Sequence, residues 1–169
     1  MVGLNIGVVS LIGRFVGARD MQRTSEVMFA AFVMAFAYSG SIAIIYSLFR
    51  FELVGVFAPP DGDFSQILAL ASFMMIGLSS YVMADATIQV AGGVLRGAGD
   101  TQWLMYASTS THWLALFAQY YLIRIAEWGP RASWMAFVAM LFSIAILFAW
   151  RLWDGRWKEE DRLVAVMAE

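Results

Sequence analysis

Long uncharged stretches divide this chain into apolar segments that are separated by short polar turns. Four windows contain no Asp, Glu, Lys or Arg, at residues 27–49, 64–84, 101–123 and 132–150. Each window is close to the roughly 20 residues that an α-helix needs to cross about 30 Å of hydrocarbon. The pattern therefore predicts an integral membrane protein that crosses the bilayer several times as helices.

The turns between the windows set the predicted helix ends. Five helices are predicted: one ending near Gly17, one from Thr24 or Ser25 to about Phe49, and three at about 65–97, 101–125 and 132–153. The predicted fold class is all-α, a polytopic transmembrane helical bundle with about four full spans plus a partial first helix. This bundle is assigned to residues 1–153, and residues 154–169 are predicted to form a charged cytoplasmic tail.

Composition supports a membrane protein and excludes several kinds of site. Of the 169 residues, 61% are hydrophobic and only 14% are charged, whereas a soluble domain averages about 25% charged residues. The net charge of −2 argues against a nucleic-acid partner, and the absence of cysteine excludes disulfides and thiolate metal sites. The sequence shows no metal-ligand cluster, nucleophile elbow or phosphate loop, so an enzyme is the least favoured class.

Positively charged residues fall mainly on one side of the predicted bundle. The side of the first turn carries Arg14, Arg19, Arg23, Arg96, Arg151, Arg156, Lys158 and Arg162, and the other side carries Arg50, Arg124 and Arg131. An excess of Lys and Arg marks the cytoplasmic side of a membrane protein. The carboxyl terminus is therefore predicted to be cytoplasmic.

A carboxylate inside an apolar helix is the strongest candidate for function. Asp85 lies about ten residues, or roughly 15 Å, from the end of its helix, and ionisable residues at membrane depth are usually functional. Tyr81, Asp85 and Gln89 recur every four residues and so share a helix face. Counting along the neighbouring helices places Asn5 and His112 at a similar depth. These five residues are predicted to bind a proton or a cation such as Na⁺.

Four of these residues also have a purely structural interpretation. Asp85 could be bonded to neighbouring hydroxyl groups, and Tyr81 could serve packing. Asn5 and His112 could be interhelical hydrogen-bonding groups, which are common in membrane bundles.

A glycine-rich, charged turn follows the Asp85 helix and contains Arg96, Gly97, Gly99 and Asp100. Arg96 and Asp100 are four residues apart and are expected to pair with each other, which makes a structural cytoplasmic turn more plausible than a ligand contact. The glycines at 92, 93, 97 and 99 are expected to let the preceding helix bend.

Three motifs together carry a resemblance to a known family. They are Gly13-Arg-Phe-Val-Gly-Ala-Arg-Asp20, Asp85 followed by Val94-Leu-Arg-Gly-Ala-Gly-Asp-Thr101, and Gly129 followed by Trp134. In this order and spacing the chain resembles the carboxy-terminal half of the multidrug and toxic compound extrusion (MATE) family. The resemblance implies a twelve-helix transporter of two pseudo-symmetric lobes, of which this chain supplies part of the eighth helix and the ninth to twelfth. The amino-terminal lobe and the seventh helix are then expected outside this sequence.

The resemblance implies a secondary antiporter that exports organic, drug-like, cationic compounds in exchange for Na⁺ or H⁺, with no other cofactor. It also implies that Asp85 and Tyr81 contribute to the coupling-ion site. The expected surroundings are the inner or plasma membrane, the missing lobe and a small organic substrate. Two alternatives stay open: a flippase for lipid-linked sugars, and a membrane subunit or remnant that does not transport.

Overall fold

The computed structural model describes residues 1–58 and 64–158, and all regular structure in these ranges is helical. The helices are α1 (Val2–Gly17), α2 (Met21–Leu48), α3 (Arg50–Gly55), α4 (Ser65–Gly97), α5 (Thr101–Arg124) and α6 (Gly129–Asp154), followed by a 3-10 helix at Arg156–Lys158. The predicted all-α class is confirmed. Most of the predicted tail at 154–169 lies outside the described residues.

Two helices begin earlier than predicted, because their first turns are capped by residues that the sequence pattern had assigned to loops. Asp20 caps α2: its carboxylate accepts a hydrogen bond from the Arg23 backbone N–H at 3.0 Å. In α6, Pro130 lies in the first turn, where its fixed φ suits a helix start. The short helix α3 was not predicted.

Within the described ranges three helices, α2, α4 and α6, are long and apolar enough to cross a membrane, and α1 is a shorter apolar helix. Four full spans were expected from the absence of charge. Helix α5 has the length, since its 24 residues extend about 36 Å, but five consecutive polar residues at 108–112 lower its hydropathy. Thr111 and His112 within this run form hydrogen bonds with carbonyl groups of their own helix.

Helix α4 is the centre of the bundle and packs against each of the other α-helices. Its residues 90–95 are all buried. Gly13 of α1 lies beside Gly97 of α4, and Asp100 pairs with Arg151 of α6. These two contacts place the turns at 18–20 and 98–100 at one end of the bundle, which we call the glycine-turn end.

Glycines on α4 allow α1 to approach closely. A Cβ atom at Gly97 would lie 2.8 Å from the Val9 carbonyl oxygen and 2.8 Å from Ile12 Cβ, and one at Gly93 would lie 3.1 Å from Val8 Cγ1. Small residues of this kind let membrane helices pack with their backbones near each other. Helix α4 continues unbroken through Gly92 and Gly93, so these glycines serve packing in this structure, where a bend was expected.

Candidate functional site

A chain of hydrogen bonds links α1 to the carboxylate of α4. Gln89 Nε2 donates to Asp85 Oδ1 at 3.3 Å, and Asn5 Nδ2 donates to the backbone carbonyl oxygen of Gln89 at 2.6 Å. All three residues are partly buried. The structure therefore brings together Asn5, Asp85 and Gln89; the sequence had placed Asn5 at the depth of Asp85, and Gln89 on the same helix face as Asp85.

The local packing explains why Asn5 can reach this position. Gly93 lies one turn after Gln89, and a Cβ atom there would lie 3.3 Å from Asn5 Nδ2. A larger residue at 93 would therefore crowd the amide that bonds to the Gln89 carbonyl. The glycine thus serves both the helix crossing and the site.

Tyr81 lies one helical turn before Asp85, on the same face of α4. Its ring stacks on that of Phe137 in α6, with the two centroids 6.5 Å apart. Among the described residues, no hydrogen bond joins the Tyr81 hydroxyl to Asp85. Tyr81 therefore connects the site to α6 through its ring.

His112 is placed differently from the other four candidates. It is an exposed residue of α5, and its Nδ1 atom lies 2.7 Å from the Ser108 carbonyl oxygen of the same helix. Within the described ranges, no hydrogen bond or ring contact joins it to α4. A count of residues along a helix predicts depth, but depth alone does not fix the direction in which a side chain points.

The oxygen atoms at this site are suited to a hard cation. Both amides use their N–H groups for the bonds above, which leaves the amide oxygens of Asn5 and Gln89 and one carboxylate oxygen of Asp85 without a hydrogen bond within the described part of the chain. Hard cations are bound by such oxygens. No group of three or more His, Cys, Asp or Glu side chains that could hold a metal occurs among the described residues.

The glycine-rich turn is a compact connection, and its ion pair differs from the expected one. Gly99 has a left-handed φ of 83°, and the Asp100 backbone N–H donates to the Leu95 carbonyl oxygen at 2.9 Å. This closure buries Asp100, whose Oδ2 atom lies 2.7 Å from Nε of Arg151 in α6. The expected pairing of Asp100 with Arg96 is wrong, and Arg96 is exposed.

Sequence reasoning missed Arg151 as a partner. It was counted only as one of the positive charges of the cytoplasmic side. In the structure it is buried, with 4% of its surface exposed, and its guanidinium lies over the Trp103 ring at 5.3 Å. An arginine at the end of an apolar helix was the available signal, but its partner lies 51 residues away in sequence.

Comparison with known proteins adds the family. The "Probable multidrug resistance protein NorM" of Mannheimia succiniciproducens is 25% identical over 97% of this chain and 36% of its own length. The "Multidrug resistance protein NorM" of Burkholderia vietnamiensis is 28% identical over 89% of this chain and 34% of its own length. The chain thus spans about a third of the length of these relatives, and no solved structure matches it. Because a model of the MatE family matches residues 1–121, this chain belongs to the MatE family.

Proposed function

We propose that this chain forms part of a secondary antiporter that exports small organic compounds in exchange for Na⁺ or H⁺, and that Asp85 binds the coupling ion. The observation that carries the proposal is the pair of hydrogen bonds that connects Asn5 of α1 through Gln89 to Asp85 on the central helix α4. MatE membership and the printed names of the relatives, which are multidrug resistance proteins, support export of organic compounds. Family members of this kind are transporters, which argues against an enzyme.

The geometry suggests how ion binding affects the helices. A cation or proton at Asp85 neutralises a charge that is costly inside a bundle. Because Asn5 bonds to the same helix one turn away, changes at Asp85 alter the contact between α1 and α4. An ion that binds one arrangement of these helices more tightly shifts the population toward it, which is the requirement for alternating access.

The orientation and surroundings follow from charge and family. The chain is a multi-pass membrane protein, and three helices in the part that the structure describes are long and apolar. At the glycine-turn end lie seven described basic residues, namely Arg14, Arg19, Arg23, Arg96, Arg151, Arg156 and Lys158. By the positive-inside rule this end faces the cytoplasm, and the membrane is the inner or plasma membrane of the cell. The partners are the lipid bilayer, a small organic substrate and the further segments, including an amino-terminal lobe, that longer relatives contain.

The test is a chimera in which this chain replaces the matching segment of the Mannheimia succiniciproducens relative. Cells that express the chimera should export ethidium, a cationic dye, and Asp85→Asn should abolish export because it removes the ionisable group. Glu52→Gln is the matched control, since Glu52 is an exposed carboxylate on α3. Undiminished export by Asp85→Asn would refute the assignment.

The coupling ion can be identified on the purified chain. A ligand that binds only the folded state at about ten times its dissociation constant stabilises that state by about 1.4 kcal/mol. If the ion is Na⁺, Na⁺ should raise the unfolding temperature more than choline does, and Asp85→Asn should remove the difference. Efflux by the chimera that is driven by a pH gradient alone would instead identify the proton.

A further inference from the structure

A cavity of about 270 Å³ lies between α4, α5 and α6 beside the glycine-rich turn, and we call it the Arg96 crevice. Its lining includes Arg96 of α4, three hydroxyl-bearing residues of α5 (Thr101, Ser108 and Thr109) and Phe148 of α6. The crevice is smaller than the roughly 300–1,000 Å³ of pockets for drug-sized molecules. Its size and its polar lining therefore suit a small charged group.

The guanidinium of Arg96 points back along α4, away from the nearby end of that helix. A Cβ atom at Gly92, one turn earlier, would lie 3.3 Å from Arg96 Nη1 and 3.3 Å from the Phe148 ring. Gly92 thus leaves room for the guanidinium at the wall of the crevice, about 5 Å before Arg96 along the helix axis. Because a basic side chain near the end of an apolar helix usually extends toward water, this inward position calls for an anion.

That anion is not supplied by the described part of the chain. No ion pair or hydrogen bond joins the Arg96 guanidinium to another described residue. Asp100 is buried in its pair with Arg151, and no described acidic residue lines the crevice. The three α5 hydroxyl groups also make no hydrogen bond to a described residue. A guanidinium together with hydroxyl donors is suited to the oxygens of a phosphate group.

The crevice lies at the level where lipid head groups are expected. On α6, Trp150 and Trp153 are 54% and 91% exposed, and exposed tryptophans near a helix end are typical of the membrane interface. Met105 lines the crevice and is 55% exposed, so an acyl chain has an apolar surface beside the polar lining. Basic pockets between transmembrane helices on the cytoplasmic side bind the head groups of anionic lipids.

We propose that the Arg96 crevice binds a phosphodiester anion, which an anionic phospholipid supplies. Arg96 and the α5 hydroxyl groups donate hydrogen bonds to the phosphate oxygens, and the acyl chains leave the crevice past Met105. The bound phosphate joins α4 to α5, which otherwise packs mainly on α6. This lipid site is separate from the ion site at Asp85 and needs no transport.

Native mass spectrometry of the purified chain in dodecyl maltoside tests the proposal, because it resolves a bound lipid by its mass. Dioleoylphosphatidylglycerol is the probe. Dioleoylphosphatidylcholine is its control, since it has the same acyl chains and phosphate but carries a compensating choline. The chain should bind phosphatidylglycerol more tightly than phosphatidylcholine by about fivefold or more, the factor expected for one basic residue that meets an anionic lipid.

Substitution of Arg96 tests the role of its charge. Arg96→Gln should weaken phosphatidylglycerol binding by about tenfold or more, since it removes a hydrogen bond between charged groups. Arg96→Lys should weaken it less, because lysine keeps the charge but loses the planar fork that holds two phosphate oxygens. Arg14→Gln is the matched control, since Arg14 is exposed at the same end of the bundle and does not line the crevice. Its effect should be less than about twofold.

A bulky side chain tests the position of the lipid. Thr109 lines the crevice, whereas its neighbour Ser110 does not, and both are exposed. Thr109→Trp should weaken phosphatidylglycerol binding by about tenfold or more, since the added ring occupies the space. Ser110→Trp should leave the affinity unchanged.

The soluble head group distinguishes a lipid from a free phosphate compound. Glycerophosphoglycerol, at the concentration of the lipid, should not displace phosphatidylglycerol, because it lacks the acyl chains. Displacement at that concentration would overturn the phospholipid as the source of the phosphate.

Three further results would overturn the proposal. Equal affinity for the two lipids would mean that the crevice does not select an anion. Equal losses in Arg14→Gln and Arg96→Gln would mean that the lipid is attracted by the charge of the whole surface. Binding that is insensitive to Thr109→Trp, or absent altogether, would exclude the crevice as the site.

Discussion

The close approach of α1 and α4 predicts that Gly97→Ala destabilises the protein, although alanine is the better helix former. A Cβ atom at Gly97 would lie 2.8 Å from the Val9 carbonyl oxygen and from Ile12 Cβ, which is 0.6 Å short of an ordinary contact of 3.4 Å. Because the Val9 oxygen belongs to the backbone, the two helices must move apart to accept the methyl group.

The expected size of the effect follows from two opposing contributions. Overpacking of a well-packed contact costs about 1–3 kcal/mol. Replacement of a helical glycine by alanine gains at most about 1 kcal/mol, and less at Gly97, which ends its helix. We expect a net loss of about 1–2 kcal/mol in the free energy of unfolding.

Gly7→Ala is the matched control, because Gly7 lies inside α1 and a Cβ atom there meets nothing within 4 Å. This variant should be as stable as the wild type or more stable by about 0.5–1 kcal/mol. Unfolding of both variants by sodium dodecyl sulfate in mixed micelles, followed by far-ultraviolet circular dichroism, gives the two free energies. If Gly97→Ala is no less stable than Gly7→Ala, the described packing of α1 on α4 is incorrect.

Two further substitutions test the ion pair and the site. Arg151→Gln removes the guanidinium that pairs with the buried Asp100 and should lower the free energy of unfolding by about 3–5 kcal/mol. Arg23→Gln, at an exposed pair, should lower it by at most about 1 kcal/mol. Equal losses in the same unfolding assay would contradict the buried pair. Asn5→Ala removes the hydrogen bond to the Gln89 carbonyl and should lower the free energy of unfolding by about 1 kcal/mol. It should also reduce the stabilisation by the coupling ion. An unchanged response to that ion would exclude a role for Asn5 in the site.

Local features of the fold and the site were predictable from sequence. The uncharged windows predicted the helices, because a chain that crosses lipid must form all its backbone hydrogen bonds internally, and an α-helix is one of the few structures that does so. Tyr81, Asp85 and Gln89 share a face as expected, since spacing within one helix fixes their relative direction.

Features that depend on the packing of separate helices were not predictable. The partner of Asp100 is Arg151, and nothing near the turn in sequence distinguishes that arginine from the other basic residues. His112 shows the same difficulty, because a residue count gives depth but not rotation about the helix axis. Three helices of the described residues are long and apolar enough to span a membrane, where four full spans were expected, since counting charge alone ignored the hydroxyl groups of α5.

The polar composition of α5 has a consequence for biogenesis. A segment with five consecutive polar residues partitions into lipid less readily than its neighbours, and its main contacts are with α6, to which Gln119 ties it. We therefore expect the translocon to release α5 and α6 into the bilayer together, as a helical hairpin. In this hairpin α6, which is made second, provides the contacts that α5 needs to enter the bilayer. The short connection at residues 125–128 is then required for membrane insertion. A longer connection should leave α5 outside the bilayer.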